Sequence, residues 1–529
     1  MVWGSVKLAL ACAIGLGRSR LVKSTPCVIG VDIGTSSTKA VLFDATGQEI
    51  SQHAIGYRLY TPTPGTAEQD PEEIFLAVVQ TVSQVVSQAA QHGQSPQQIG
   101  CVSFSAALHS LMAIAADGTL LTRSITWADN RSAPWADEIK RSPAGHCLYR
   151  RTGTPIHPMS PLAKIVWLRH EQPDLFKKTA KFISIKEYVF YRLTQQFWVD
   201  YSIASGTGLW NMATLDWDTE ALHVAGIRAN QLSQLVATTQ VLTVPPTVTA
   251  AMGLLPDTPF VIGANDGVLA NLGLGAIAPG VAALTIGTSG AIRAIVNHPI
   301  TDPQERLFCY ALTETHWAVG GAVNNGGIIL QWLRDQLGLA ATYEALLAMA
   351  GTVPPGADGL LFHPYLLGER SPLWQADARG SFFGLTLRHT NAHLVRAVLE
   401  GVTLNLFLIL QAVQEVAGTI SSLRAAGGFA QSSLWRQMIA DVFNRPITIP
   451  NQRQSSSVGA AILGLYALQY IPSLEDNPFG LSETGCYQPN PAQAAIYQRI
   501  LPVYNHLLTT VQPTYSLMAQ LQRDLQSEV

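Results

Sequence analysis

Charge is scarce in this chain. Only 13% of its 529 residues are Asp, Glu, Lys or Arg, and 33 basic against 36 acidic side chains leave a formal net charge of −3. That balance gives no basic footprint for nucleic acid, and no Lys/Arg run supplies one locally. Cysteine is rare and scattered. The six thiols at 12, 27, 101, 147, 309 and 486 form no CxxC pair, which argues against a disulfide framework or a zinc ribbon and fits a reducing, cytoplasmic setting. A hydrophobic share of 47% excludes a disordered or fibrous chain. The apolar stretch VKLALACAIGLG (6–17) is too short to span a bilayer. With Arg18, Arg20 and Lys23 behind it, it has the outline of a signal or transit segment. The expectation for residues 1–26 is a disordered extension or a translation start placed too early, set apart from the fold.

The chain is too long for one core, so two or more domains are expected. From Cys27, CVIGVDIGTSSTKAVLF reads as a β-hairpin around a Gly-Thr-Ser-Ser turn. Much later, VAALTIGTSGAIRAIV reads the same way, and residues 33–36 and 286–289 are both Ile-Gly-Thr-Ser. Two copies point to a duplicated domain rather than a solenoid. The copies differ in charge: Asp32 precedes the first turn and Thr285 the second. Glycine, threonine and serine in such turns offer N–H groups and hydroxyls to phosphate oxygens. Lys39 adds a positive charge, and Asp32 is a candidate Mg²⁺ ligand, direct or through water. Between the hairpins, PEEIFLAVVQTVSQVVSQAAQ has helical periodicity, and IGCVSFSAALHSLMAIAADGTLLTRSITWADNR reads as strand, loop, strand, turn, strand. Further on, NNGGIILQWLRDQLG starts a helix, and LVRAVLEGVTLNLFLILQAVQEV is apolar enough to require burial. The fold class is α/β, with strands and helices interleaved throughout.

Longer motifs make the reading specific. GSFFGLTLRHTNAHLVRAVLE (380–400) and MSPLAKIVWLRHE (159–171, departing at His170) resemble the two signatures of the FGGY family of carbohydrate kinases, as do YLLGERSP (365–372) and AAGGFAQSSLWRQMIADVFNRPI from 425. The resemblance runs from about Cys27 to the C-terminal helices. It implies two duplicated actin-like, ribonuclease H-like domains facing a cleft. The first, 27–275, would hold the sugar and the first phosphate loop. The second, 276–529, would hold the adenosine, the second phosphate loop and a helical tail.

The same resemblance implies roles. Asp266, alone among small residues in GANDGVLANLG, falls where these kinases place the base that takes the proton from the attacking hydroxyl. Thr35, Ser36, Ser37 and Lys39 would meet the terminal phosphates of ATP, with Asp32 helping to hold Mg²⁺. Thr288 would face the phosphates from the other domain, and Gly327 would let them approach helix N–H groups. Gly428 and Ser432 match positions near adenine and ribose. The acceptor would lie near His109 and the WADNR run. Where pentulose kinases of the family carry Gln-Met-His-Gly, this chain has Ala107-Leu108-His109-Ser110. Losing the amide at 107 changes the hydroxyls a site can select. The pattern is similar to that of the family's gluconate kinases, so the expected acceptor is D-gluconate. Arg131 or His109 would meet its carboxylate, and Asp129 and Trp127 would bind and cover the polyol. A ketopentose such as D-xylulose is the alternative. A sugar sensor or pseudokinase on the same fold is the non-enzymatic reading, though a pseudokinase would be expected to have lost Asp266, Asp32 or a hairpin. Family members are often dimers, which suggests a homodimer.

Overall fold

The structure is a computed structural model that describes residues 26–451, 454–480 and 483–527. The extension expected at the start thus lies, but for Pro26, outside the described residues.

Two mixed sheets organise the chain. The first runs in spatial order Glu49–Gly56, Ser37–Phe43, Cys27–Ile33, Ile99–Ala106, Phe260–Asn265, Val241–Leu242. Its successive pairings are antiparallel, antiparallel, parallel, parallel and antiparallel. The second runs Phe308–Ala311, Trp317–Val323, Gly290–Val296, Val281–Ile286, Ser422–Ala426, Ile447–Pro450, Glu483–Tyr487. From Trp317–Val323 onward it repeats the same five pairings in the same order. The repeated Ile-Gly-Thr-Ser thus marks the hairpin of each copy. Across the first hairpin Asp32 pairs with Lys39; across the second, Thr285 pairs with Ala291.

Each sheet has a helix that follows its antiparallel strands. Helix Pro71–Gln91 starts where the Asp70 side chain accepts from the Glu72 N–H, with Pro71 pre-set for the first turn. Ile74, Val78, Val82, Val85 and Ala89 form its buried stripe, each Ile or Val stabilising by about 1.5–3 kcal/mol. The counterpart, Asn391–Ala417, is apolar nearly all round. It is long and apolar enough to cross a membrane by composition, yet 89% of its most apolar window is buried inside the protein. A separate apolar cluster that includes Leu148, Ile165, Leu168, Phe182 and Leu222 fills the segment inserted between the Ile99–Ala106 and Phe260–Asn265 strands.

One helix crosses the expected division of the chain. Ser455–Ala467 comes from the second half but packs against the first sheet, in a core that mixes Val28, Val41, Val261 and Leu269 with Val458 and Ile462. It crosses helix Asp266–Gly273 through two glycines. A Cβ on Gly273 would lie 1.9 Å from the Ser455 oxygen, and one on Gly459 would lie 1.9 Å from the Leu269 oxygen. Only residues without a side chain allow backbones that close.

Candidate active site

Asp266 is the first residue of its helix, directly after the Phe260–Asn265 strand. Asn265 caps that helix, its Oδ1 accepting from the Val268 N–H at 3.0 Å. Asn265 is itself tied down, its backbone N–H and Nδ2 both donating to Ser202 Oγ, at 3.1 and 2.7 Å. The Asp266 carboxylate accepts only the N–H of Gly267, at 2.7 Å, among the hydrogen bonds of the described residues. Burial, and then the Asp32 carboxylate, push its pKa up to about 6 against the pull of Arg293. The turn and the candidate base are one object. Local capping holds the loop, and the free face of the acid lines a cavity of about 370 Å³.

His109, Trp127 and Thr35 line the same cavity. His109 has φ of 68°, uncommon for a residue with a side chain. Its conformation is clamped from both ends. The Lys164 ammonium donates to the His109 carbonyl at 2.6 Å and to the Thr126 carbonyl at 2.7 Å, and the His109 Nδ1–H donates to the Gly206 carbonyl at 2.8 Å. Burial, followed by the Lys164 charge, lowers the His109 pKa to about 3. The ring is therefore neutral, with Nε2 left as an acceptor 3.4 Å from the Tyr310 hydroxyl. It suits a hydroxyl and not the carboxylate expected for it from the sequence. Trp127 Nε1 donates to Thr35 Oγ1 at 2.9 Å, which fixes the indole and occupies one of the expected phosphate-loop hydroxyls.

Asp129 and Arg131, also expected at the acceptor, do not line this cavity. Asp129 accepts from the Ala67 N–H at 2.9 Å and from Arg131 Nε at 3.0 Å. Arg131 reaches Glu68 at 2.6 Å and lies over the Trp167 ring. Both acids hold the guanidinium in place through Nε and Nη2.

The other expected residues divide between two places. Thr288, Gly327, Gly428 and Ser432 line a second cavity of about 520 Å³, together with Gln331, Tyr343, Phe429 and Trp435. The Gly327 N–H is spent on the Gly287 carbonyl at 2.7 Å, and a Cβ there would lie 2.8 Å from that oxygen. Its glycine allows a close join between the second hairpin and the following helix. Ser432 caps helix Ser433–Phe443, accepting from the Trp435 N–H at 3.2 Å. At the first hairpin, Ser36 is exposed and Ser37 begins the second strand. Lys39 Nζ donates to Gln454 Oε1 at 2.7 Å, tying the hairpin to the start of the crossing helix. Asp32 accepts from Ser105 Oγ at 2.7 Å. Burial raises its pKa, while Ser105 and Lys39 pull it down.

No group of three or more His, Cys, Asp or Glu suited to a metal occurs among the described residues. Asp32 lies close enough to raise the pKa of Asp266, and the pair fits a different kind of site. Mg²⁺ is typically held by one or two carboxylates, waters and substrate phosphates rather than a protein cage.

Two charged cavity residues were not singled out from sequence: Arg293, in the strand after the second IGTS, and Arg370, inside the YLLGERSP motif. Arg293 Nε donates to Asn271 Oδ1 at 3.1 Å and Nη2 reaches Thr285 Oγ1 at 3.4 Å. Arg370 Nη2 donates to the Val323 carbonyl at 3.0 Å, and its guanidinium lies 4.9 Å from the centre of the Trp127 ring. The only sequence signal for Arg370 was its place in the motif; Arg293 had none beyond following the hairpin.

Two duplicated α/β sheets, each with a hairpin, facing a shared cleft are the architecture of the actin-like, ribonuclease H-like class. Models of the N- and C-terminal domains of the FGGY family of carbohydrate kinases match residues 27–273 and 282–468, and the chain belongs to that family. It is 48% identical to a gluconokinase of Bacillus licheniformis over 95% of this chain and the whole of that one. It is 28% identical to a xylulose kinase of Bacillus subtilis over 91% of this chain. Among solved structures, gluconate kinase from Lactobacillus acidophilus superposes with a TM-score of 0.88 at 38% identity, covering 93% of this chain and 99% of that one. The protein is an ATP-dependent carbohydrate kinase.

Proposed function

We propose that the protein transfers the γ-phosphoryl group of ATP to D-gluconate, giving 6-phospho-D-gluconate and ADP. The observation that carries this reading is full-length identity of 48% with gluconokinases, against 28–29% with several xylulose kinases. In the proposed step the 6-hydroxyl oxygen attacks phosphorus while the bond to the ADP bridging oxygen breaks, and the hydroxyl proton passes to Asp266. Phosphoryl transfer asks mainly for alignment and charge compensation. His109 Nε2, Tyr310 and Trp127 would bind and cover the polyol. Thr288, Gly428 and Ser432 would hold the nucleotide in the second cavity, with Ser36, Ser37 and Lys39 closing on its terminal phosphates. Mg²⁺, held by Asp32 directly or through water, would neutralise phosphate charge. A boundary between domains at 275 and 276, a homodimer and a cytoplasmic location complete the proposal.

The test is ADP release with Mg-ATP over D-gluconate, D-xylulose, D-ribulose, L-ribulose, glycerol and no sugar. Gluconate-dependent turnover, reduced at least 1,000-fold (about 4 kcal/mol of barrier) in Asp266→Ala, is the expected outcome. Turnover on D-xylulose alone would move the acceptor to the ketopentoses, a reading favoured by a Lactobacillus acidophilus structure described as xylulose kinase that matches equally well, with TM-score 0.88 and 38% identity.

A further inference from the structure

The acceptor cavity contains more positive charge than its own acid compensates. Its charged lining residues are Asp266, Arg293 and Arg370: one carboxylate faces two guanidinium groups. Among the described residues, the second cavity is lined by no Lys or Arg. The surplus therefore sits where the acceptor goes.

Neither arginine is paired as others in this protein are. Arg131, Arg151, Arg306 and Arg396 each hold a carboxylate at 2.6 to 2.7 Å. Arg293 and Arg370 make no ion pair among the described residues and bond only to neutral groups. Arg445 also lacks a carboxylate, yet its Nε, Nη1 and Nη2 all sit on oxygens of Ile420, Phe443 and Gln414. Arg370 instead leaves Nε buried with no acceptor. An unpartnered, desolvated charged donor is expensive to maintain. Such a cost is commonly retained where an arriving anion completes the set. The Arg370 guanidinium stacks on Trp127, which fixes its plane, and a fixed guanidinium plane favours bidentate binding of a carboxylate.

We propose that Arg293 and Arg370 form the receptor for the acceptor's carboxylate, and so make a sugar acid rather than a neutral ketose the substrate class of this cleft. The inference rests on the reading of the cavity as the kinase acceptor site. Arg293 lies beside the base, its Cζ 3.6 Å from where a Cβ on Gly267 would sit, and Arg370 lies over Trp127; the reacting hydroxyl goes to Asp266 and the carboxylate to the guanidinium groups. A neutral ketose brings nothing for the two guanidinium groups to pair with; gluconate brings a carboxylate that does. Both arginines come from the second half of the chain, whereas His109, Trp127 and Asp266 come from the first. An acid acceptor therefore bridges the two halves.

The decisive measurement is calorimetric binding of D-gluconate and of D-glucitol, its neutral counterpart with CH₂OH in place of the carboxylate. Wild-type protein should prefer gluconate by roughly 100-fold. Arg370→Met and Arg293→Met, checked for folding by thermal unfolding, should each lose most of that preference and raise the KM for gluconate by roughly 30-fold or more. Equal binding of the two polyols by wild type overturns the receptor without recourse to any variant. A preference unchanged in both variants, or a rise in the KM for ATP in place of that for gluconate, also overturns it. Gluconate turnover with no carboxylate preference sinks this inference alone; no turnover on any sugar acid sinks the acceptor reading beneath it.

Discussion

At the scale of single residues, Asp266 shows how environment sets chemistry. Its pKa of about 6 stands above the model-peptide value of 3.8 because burial and Asp32 both oppose its charge. A base works only when deprotonated, so kcat/KM should fall about tenfold per pH unit below about pH 6; a profile flat to pH 4.5 would exclude Asp266 as that base. The same shift has a stability consequence of fixed sign. The folded protein holds this proton more tightly than the unfolded chain does, so its contribution is full below pH 4 and is lost as pH rises through 6. Asp266→Asn should thus unfold at a higher temperature than wild type at pH 7.5, with the difference gone by pH 4. His109 follows the opposite logic. Burial keeps it neutral, and the carbonyl of Gly206 decides which nitrogen carries the proton. The sequence located both residues but had no access to either charge state, because the charge state depends on residues distant in the chain.

At the scale of elements, the five-residue helix Tyr201–Ser205 has an influence beyond its length. Ser202 holds Asn265 beside the base, Ser205 Oγ accepts the Ala311 N–H at 3.1 Å next to Tyr310, and Gly206 directly after it holds His109. Asp200 caps this helix, accepting from the Ile203 N–H at 2.9 Å, and pairs at 2.7 Å with Lys186, both side chains 1% exposed. Asp200→Ala leaves a buried ammonium without its partner and should destabilise by about 3–5 kcal/mol, with a fall in kcat. Chemical denaturation measures it, and the double variant Lys186→Met, Asp200→Asn should recover most of the loss. Failure of the double variant to recover would locate the effect elsewhere than in the orphaned charge. Elements with a strong local code were legible beforehand: the two hairpins, the capped helix Pro71–Gln91 and the buried helix Asn391–Ala417. This short helix was not, since five residues carry no periodicity and their importance lies in what they touch.

At the scale of the molecule, two duplicated halves share one cleft and meet at a crossing of glycine-faced helices. The cavity of about 370 Å³ takes residues from both halves. Closure on ligands would bring the two Ile-Gly-Thr-Ser turns toward the same phosphates and exclude water that would otherwise accept the phosphoryl group. Small-angle scattering should show a smaller radius of gyration with saturating D-gluconate and a non-hydrolysable ATP analogue than with neither. An unchanged radius would mean that the cleft functions without closure.

The sequence by itself determined the α/β class, the duplication, the hairpins that carry Asp32 and Thr288, and the acid at 266. Each of these is written in contiguous residues, as strand alternation, turn chemistry or a cap. Tertiary structure alone decided which charges face the cleft. Asp129 and Arg131 lie two residues apart in a motif that resembles a substrate loop, yet Glu68 and the Ala67 N–H draw them into a structural ion pair. Arg293 and Arg370, 77 positions apart, line one cavity without an ion pair among the described residues because strand Gly290–Val296 and the loop at Arg370 meet there. Helix Ser455–Ala467 joins the first sheet because two glycines let it approach helix Asp266–Gly273 closely. Pairing and desolvation act through space, and no local pattern records which partner a charge will meet once the chain has closed on itself.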